Sequence, residues 1–288
     1  MRQTHKKCLI CSSTNLKELP LYANAGLVQC VACKFIFSKN IPSQKELNNH
    51  YDTYPRTNLI SPITIKRYNE LLDTFEKYRL TNNILDVGCG DGHFLEVAKQ
   101  RGWNIYGTEF TDKAIELCLK KGINIKKGIL NRTDFKELTF DIITSFEVIE
   151  HINNPMEELN KFNILLRKNG LLYITTPNFN SLSRYYLKQN WNVIEYPEHL
   201  CYYTKKTLVK LAELNSFSEL AFYTTGFSFS RFQNSMSDKK TNNTVNKDDV
   251  IRIKSETNWH YKLVKKLTNY ILTIFKKGDS IKVYFLKN

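Results

Sequence analysis

The sequence predicts an α/β protein, a doubly wound parallel sheet with a small metal-binding ribbon at its N-terminus. Three observations predict it. From residue 83 onward, apolar strand-like runs alternate with amphipathic helical segments. The first such run, Ile84-Leu85-Asp86-Val87, breaks into glycines at positions 88, 90 and 92 and then into a helical pattern. Two Cys-x-x-Cys pairs, Cys8/Cys11 and Cys30/Cys33, precede the alternation with eighteen residues between them.

Composition bounds the rest. A chain of 288 residues with 42% hydrophobic residues has room for one large domain and a small accessory module. The formal charge of +14 and pI of about 9.3 point to an acidic partner such as RNA, anionic lipid or a phosphorylated substrate. A lysine- and asparagine-rich composition throughout is the plainer source of that charge. No N-terminal apolar region and no long apolar run stand out, so neither a signal peptide nor a transmembrane helix is expected. Seven cysteines without a secretory signal indicate a reducing compartment, and a cytoplasmic protein is expected.

Taken in order, residues 1–42 form the ribbon. Each Cys-x-x-Cys places two sulfurs on one tight knuckle, and two knuckles supply a tetrahedral zinc site from Cys8, Cys11, Cys30 and Cys33. Four cysteines close the coordination shell, so the zinc is structural. So short a module has little core, and the metal supplies much of its stability. Residues 43–80 follow as a helical cap or linker, with Pro42, Pro55 and Pro62 as punctuation and helical spacing over 63–78.

The main domain spans 81–288. Strands are expected at 83–87, 104–110, 124–127, 140–146, 171–175 and 219–225, with a last one at 280–286. Helices are expected at 94–100, 113–121, 156–167 and 204–214. Thr111 or Asp112 would cap the second, and Pro155 and Gly170 would bracket the third. Residues 235–254 are polar and lysine-rich, and 259–277 form a basic amphipathic helix. Its apolar face (Trp259, Leu263, Leu267, Tyr270, Ile271, Ile274) either packs on its own domain or a dimer partner, or lies on an anionic membrane.

The glycine turn lets backbone N–H groups approach an anionic group that side chains would block. Its spacing is G-x-G-x-G, with His93 where a dinucleotide fingerprint wants its third glycine. A nucleoside that offers a carboxylate and no pyrophosphate, such as S-adenosylmethionine (SAM), suits this better. Glu109 ends the second strand, where a carboxylate accepts both ribose hydroxyls. Phe110 would pack on adenine, and Gly128-Ile129-Leu130 would close that pocket. Ser145-Phe146-Glu147 ends the fourth strand, near where the reactive sulfonium would lie.

These segments, with Phe140 to His151, Leu166 to Pro177 and Pro197-Glu198-His199-Leu200, resemble class I SAM-dependent methyltransferases. The resemblance is to the bacterial subgroup with an N-terminal CxxC…CxxC ribbon. It implies a Rossmann-like seven-stranded sheet with an antiparallel last strand, and makes 231–278 an insertion. It implies SAM and structural zinc as cofactors, with SAM contacts from Asp86, Gly88, Cys89, Gly90, Glu109, Phe110, Leu130 and Phe146. Members of this kind are encoded beside glycan, O-antigen and deoxysugar pathways, so the implied acceptor is a nucleotide-linked sugar or glycan precursor.

Methyl transfer requires alignment of nucleophile and methyl, and removal of a proton. Two sets of residues offer a base. In Tyr196-Pro197-Glu198-His199, a His beside a Glu on one loop is a natural base. The stretch is similar to the Tyr-x-Glu-His of zinc-containing sugar C-methyltransferases. That likeness implicates Glu198 and His199 in proton removal, and Tyr196, Tyr51 and Tyr54 in shaping the site. Those enzymes carry a further C-terminal domain that this chain lacks, and the plainer role for His199 is to pack the following helix. The second set, Glu147 to His151, would share a helical face at i,i+4. Its Glu-x-x-Glu-His resembles ubiquinone-type O-methyltransferases, where it holds a divalent cation beside a catechol. The plainer role there is a hydrogen-bond network at a helix start. RNA methylation is the third alternative, but no Asn-Pro-Pro-Tyr tetrad is present and arginine is scarce. A non-catalytic scaffold fits poorly with the intact Gly88, Gly90, Gly92 and Glu109.

Overall fold

The computed structural model describes residues 3–43, 45–47, 60–226 and 258–288. The N-terminal strands are β1 (Leu16–Glu18), β2 (Leu27–Cys30) and β3 (Ile36–Ser38). Then come α1 (Pro62–Phe75), β4 (Asn83–Val87), α2 (His93–Gln100), β5 (Asn104–Glu109), α3 (Asp112–Lys120) and β6 (Asn124–Lys127). They are followed by β7 (Phe140–Phe146), α4 (Pro155–Leu165), β8 (Leu166–Pro177), α5 (Leu182–Leu187), β9 (Cys201–Tyr202) and α6 (Lys205–Glu213). The chain ends with β10 (Phe217–Thr225), α7 (Trp259–Phe275) and β11 (Ser280–Lys287).

The main sheet has seven strands in the order β10-β11-β8-β7-β4-β5-β6. β11 runs antiparallel to both neighbours, as the resemblance implies. Successive strand residues point to opposite faces, which sorts the core into two clusters. Ile84, Ile142 and Leu171 pack with Leu72 and Phe75 of α1 and Phe94 and Leu95 of α2. Leu85, Ile143 and Leu172 pack with Leu159 and Phe162 of α4 and Leu208 and Leu211 of α6. Helices therefore cover both faces of the sheet, and every residue of β4, Asn83 and Asp86 included, is buried.

Capping explains where helices begin. Ser61 accepts a bond from Thr64 N at 3.3 Å with Pro62 in the first turn of α1, and Asn154 does the same for α4 ahead of Pro155. Two expectations are corrected. Gly170 does not stop α4. The helix ends at Leu165, Leu166 is already extended, and Gly170 lies inside β8, where a Cβ would sit 2.9 Å from the Arg167 carbonyl. Thr111 is the N-cap of α3, but its hydroxyl bonds Glu109 rather than its own helix.

The ribbon does not stand apart. Its sheet has the order β1-β2-β3-β9, so its fourth strand comes from the main domain. Phe35 stacks on Phe37 and lies 5.2 Å from the Tyr203 ring, and all three are fully buried. Burying each phenylalanine contributes roughly 1.5–3 kcal/mol to this junction.

Among the described residues, nothing packs on the apolar face of α7, in contrast to the expectation that this face packs on its own domain. Its polar edge does the docking: Asn269 Oδ1 accepts from Gly226 N at 3.0 Å, and Thr273 Oγ1 donates to Thr224 O at 2.9 Å. Trp259, Leu263, Leu267, Tyr270, Ile271 and Ile274 are exposed. Residues 231–257 of the expected insertion lie outside the described residues.

Candidate active site

The glycine turn follows β4, and Gly88, Gly90 and Gly92 all have positive φ. Their surroundings differ. A Cβ on Gly88 would meet Val148 Cγ2 at 2.6 Å, and one on Gly92 would run into Ile123, so both glycines serve packing. A Cβ on Gly90 would meet nothing within 4 Å. Glu109 stands beside it: Oε2 accepts from Gly90 N, and Oε1 accepts from Thr111 N and Thr111 Oγ1, each at 3.0 Å. Gly128, whose N–H donates to the Glu109 carbonyl at 2.8 Å, also faces open space. A mostly buried carboxylate thus stands between two glycines that face open space, which leaves room for a ligand beside it.

Asp86 and Cys89 lie under the turn. Asp86 is buried and accepts a bond from Thr144 Oγ1 at 2.7 Å. Burial pushes its carboxyl up to about 8, against the Thr144 bond and with help from the Glu109 charge. Cys89 Sγ is 3.8 Å from Cys118 Sγ, which in turn lies 3.2 Å from the Gly90 carbonyl. Leu130 is buried beside Phe135, and Phe110 is half-buried next to Glu109. Phe146 closes an aromatic floor with Phe94 at 5.0 Å, Tyr173 at 5.6 Å and Tyr68 of α1 at 6.2 Å.

Past β7, Glu147 takes a left-handed backbone with φ 52°. Its N–H bonds the Thr175 carbonyl and hydroxyl of β8 at 3.0 and 3.1 Å. A 3-10 turn, Ile149–His151, follows in place of a helix. Glu147 and His151 therefore share no helical face, which corrects that expectation. Glu147 is exposed and Glu150 is buried. Thr176 Oγ1 donates to Glu150 Oε2 at 2.9 Å, while Glu150 Oε1 is buried without a hydrogen-bond partner among the described residues. Burial, then the Glu147 charge, hold the Glu150 carboxyl well above the usual range.

The two rival base sets meet here. His151 and His199 have ring centroids 4.8 Å apart. His151 Nδ1 bonds the Glu198 carbonyl at 2.8 Å, and His199 Nδ1 bonds the Val193 carbonyl at 2.7 Å. Carbonyl oxygens only accept, so both rings carry their hydrogen on Nδ1 and the lone pair on Nε2. Burial, then the neighbouring His199, lower His151 to about 4. Ligand atoms of Glu150, His151 and His199 lie within 4.8 Å of one another, a set that suits a divalent transition metal. Glu198 is largely buried, and Tyr196 packs between two core clusters. Tyr51 and Tyr54 lie outside the described residues. The sequence reading missed that Glu150 belongs with His199; Thr176, two residues past the end of the apolar strand core, was the available signal.

The ribbon grips both histidine segments. β3 pairs with β9 just beyond His199, and Ser38 N donates to Leu200 O at 2.7 Å. His5 Nε2 meets Asn153 Oδ1, just beyond His151, at 2.7 Å. In the ribbon the Cys8–Cys33 and Cys11–Cys30 sulfurs are 3.5 Å apart, and all four lie within 4.8 Å of one another. Zn–S bonds of about 2.3 Å in a tetrahedron set sulfur–sulfur edges of about 3.8 Å, so the four cysteines fit zinc.

A family model described as a methyltransferase domain matches residues 63–219, more than half of the chain. The chain belongs to this methyltransferase family. It is similar to the ubiquinone biosynthesis O-methyltransferase of Actinobacillus pleuropneumoniae, 29% identical over 106 residues, covering 33% of this chain and 45% of that one. The enzyme of the same name from Nitrosomonas europaea is 25% identical over 138 residues, covering 44% and 55%. The chain thus spans about half the length of the curated relatives it matches. Its fold is that of a SAM-dependent methyltransferase from Archaeoglobus fulgidus, with TM-score 0.52, 20% identity, and coverage of 78% of this chain and 93% of that one. It also matches phosphoethanolamine N-methyltransferase 2 of Haemonchus contortus in complex with SAM, with TM-score 0.53, 16% identity, and coverage of 88% and 61%. The open glycines beside Glu109 have room for a nucleoside cofactor of the kind bound in the second of these structures.

Proposed function

We propose that this methyltransferase carries the SAM methyl to a ring hydroxyl of a small aromatic acceptor of the quinone-precursor kind. The carrying observation is the convergence of His151 and His199 at the carboxyl edge of β7 and β8. Glu109 and the Gly88–Gly92 turn hold the nucleoside, with Phe110 and Leu130 on the adenine side. The Tyr68, Phe94, Phe146 and Tyr173 rings suit a planar acceptor. The names of the relatives favour a quinone precursor over the nucleotide-linked sugar, whose support is the Tyr196–His199 motif.

The acceptor hydroxyl gives its proton to His199 Nε2 as its oxygen attacks the methyl. The Val193 carbonyl fixes that tautomer and steadies the imidazolium that forms. His151 is neutral at pH 7 and orients the hydroxyl. A second reading rests on the buried Glu150 Oε1. Glu150, His151 and His199 are the residues that would hold a divalent cation, and such an ion supplies Lewis acidity that acidifies the acceptor hydroxyl.

Labelled SAM incubated with 3,4-dihydroxybenzoate or with a panel of nucleotide-linked sugars tests the proposal. Label on a catechol oxygen is expected. Label on the sugars alone would overturn the aromatic assignment. A rate that rises with added manganese, in wild type but not in Glu150→Gln, selects the cation reading.

A further inference from the structure

We infer that α7 is a lipid-surface anchor that seats the acceptor site against an anionic bilayer. The helix is docked in reverse of the usual amphipathic arrangement, in which the apolar face turns inward. Its polar edge is bonded to β10 through Asn269, Thr273 and the Leu272 carbonyl, the last accepting from Thr224 Oγ1 at 2.7 Å. The outward face carries Trp259, Leu263, Leu267, Tyr270, Ile274 and Phe275. Trp259 is 67% exposed and Tyr270 64%. So large a contiguous apolar face marks an interaction site.

Charge selects the occupant. From Asn258 to Gly278 the sequence holds no acidic residue and five lysines. Lys266, midway along the helix, and Lys276, at its C-terminal cap, are exposed. A second copy laid on this face would bring lysines onto lysines with no carboxylate on the helix to neutralise them. An anionic headgroup layer meets both features, with aromatic and aliphatic side chains below it and lysines at its level. The helix lies on the surface and does not cross it. It has 17 residues, about 25 Å at 1.5 Å per residue, and no helix among the described residues is long and apolar enough to span.

The placement ties the anchor to the chemistry. The C-terminal end of α7 is bonded to the carboxyl edge of the sheet. Asn178 and Asn180, just beyond β8, both donate to the Lys276 carbonyl at 3.1 Å. α5 adjoins the same end through Leu182 N and the Lys277 carbonyl, 3.0 Å apart, and exposes Tyr185 and Tyr186. An acceptor that partitions into lipid would be delivered beside Glu147 and the histidine pair. The inference deepens the proposed function, but lipid binding is measured without turnover, so the two fail separately.

The test is co-sedimentation of the full chain with phosphatidylcholine vesicles, with and without phosphatidylglycerol. Binding to the anionic vesicles is expected, weakened by salt, and reduced at least tenfold in Leu263→Glu/Leu267→Glu with SAM affinity retained. Trp259 reports directly, because the other two tryptophans, Trp103 and Trp191, are buried at 3% and 1% exposure. Its emission should shift to the blue when vesicles are added. Three outcomes overturn the inference. One is no partitioning onto either vesicle. Another is a dimer in sedimentation that the double variant splits. The third is Trp259 emission already blue in the lipid-free monomer, which would mean residues 227–257 cover the face.

Discussion

His151 and His199 come from separate loops, yet their rings stand 4.8 Å apart, each anchored at Nδ1 by a backbone carbonyl. The carbonyl that anchors His151 belongs to Glu198, the residue before His199. Leu200, the residue after it, donates its N–H to the Glu150 carbonyl at 2.8 Å. The two loops are therefore laced together on both sides of His199, by the His151 imidazole at Glu198 and by a main-chain bond at Leu200.

Glu109 is expected to carry ribose recognition. Glu109→Ala should weaken SAM binding by tenfold or more, in line with a lost charged hydrogen-bond pair of roughly 1.5–3 kcal/mol. Calorimetry with the variant measures this directly, and unchanged affinity would remove Glu109 from the cofactor site.

Zinc should matter to the acceptor half and not to the cofactor half. The ribbon reaches the site through Ser38–Leu200, β3–β9 and His5–Asn153, all on the histidine side. A Cys30→Ser chain is expected to lose bound zinc and most turnover while SAM affinity stays within about threefold, below the tenfold set by 1.4 kcal/mol. Hydrogen exchange across 195–203 should accelerate in parallel. Equal protection there in zinc-free protein would show that the ribbon does not hold this loop.

Asp86 sets a pH dependence of stability. Its folded value of about 8 lies above the ordinary 3.8, so the folded state binds the extra proton between those values. Stability therefore falls as pH rises from about 4 to about 8 and levels beyond, the reverse of a salt-bridged carboxylate. Asp86→Asn should gain on wild type steadily across that window in denaturant titrations. A difference that does not vary with pH would mean Asp86 is ionised in the fold.

Much of this was legible in the residues. The strand positions and the α/β layering followed from alternation and the glycine turn, because β4 and β7 centre on Ile84-Leu85 and Ile142-Ile143 and are buried almost throughout in a sheet covered on both faces. The four cysteines announced their site by spacing alone. Glu150 and His199 were not legible as partners. Their meeting depends on the turn at Glu147 and the bond from Leu200, which no periodicity encodes. The outward face of α7 was equally hidden: the wheel shows an apolar face but not that Asn269 and Thr273 find partners on β10.

The most direct measurement is a double-mutant cycle at the histidine pair. Single-turnover methyl transfer and SAM affinity would be compared for His151→Ala, His199→Ala and the double variant. If the pair is one proton-removing unit, His199→Ala should slow transfer by about 10²–10⁴-fold. The double variant should be no slower than His199→Ala, and all three should bind SAM as wild type does. A His199→Ala chain that transfers methyl at the wild-type rate would contradict the assignment.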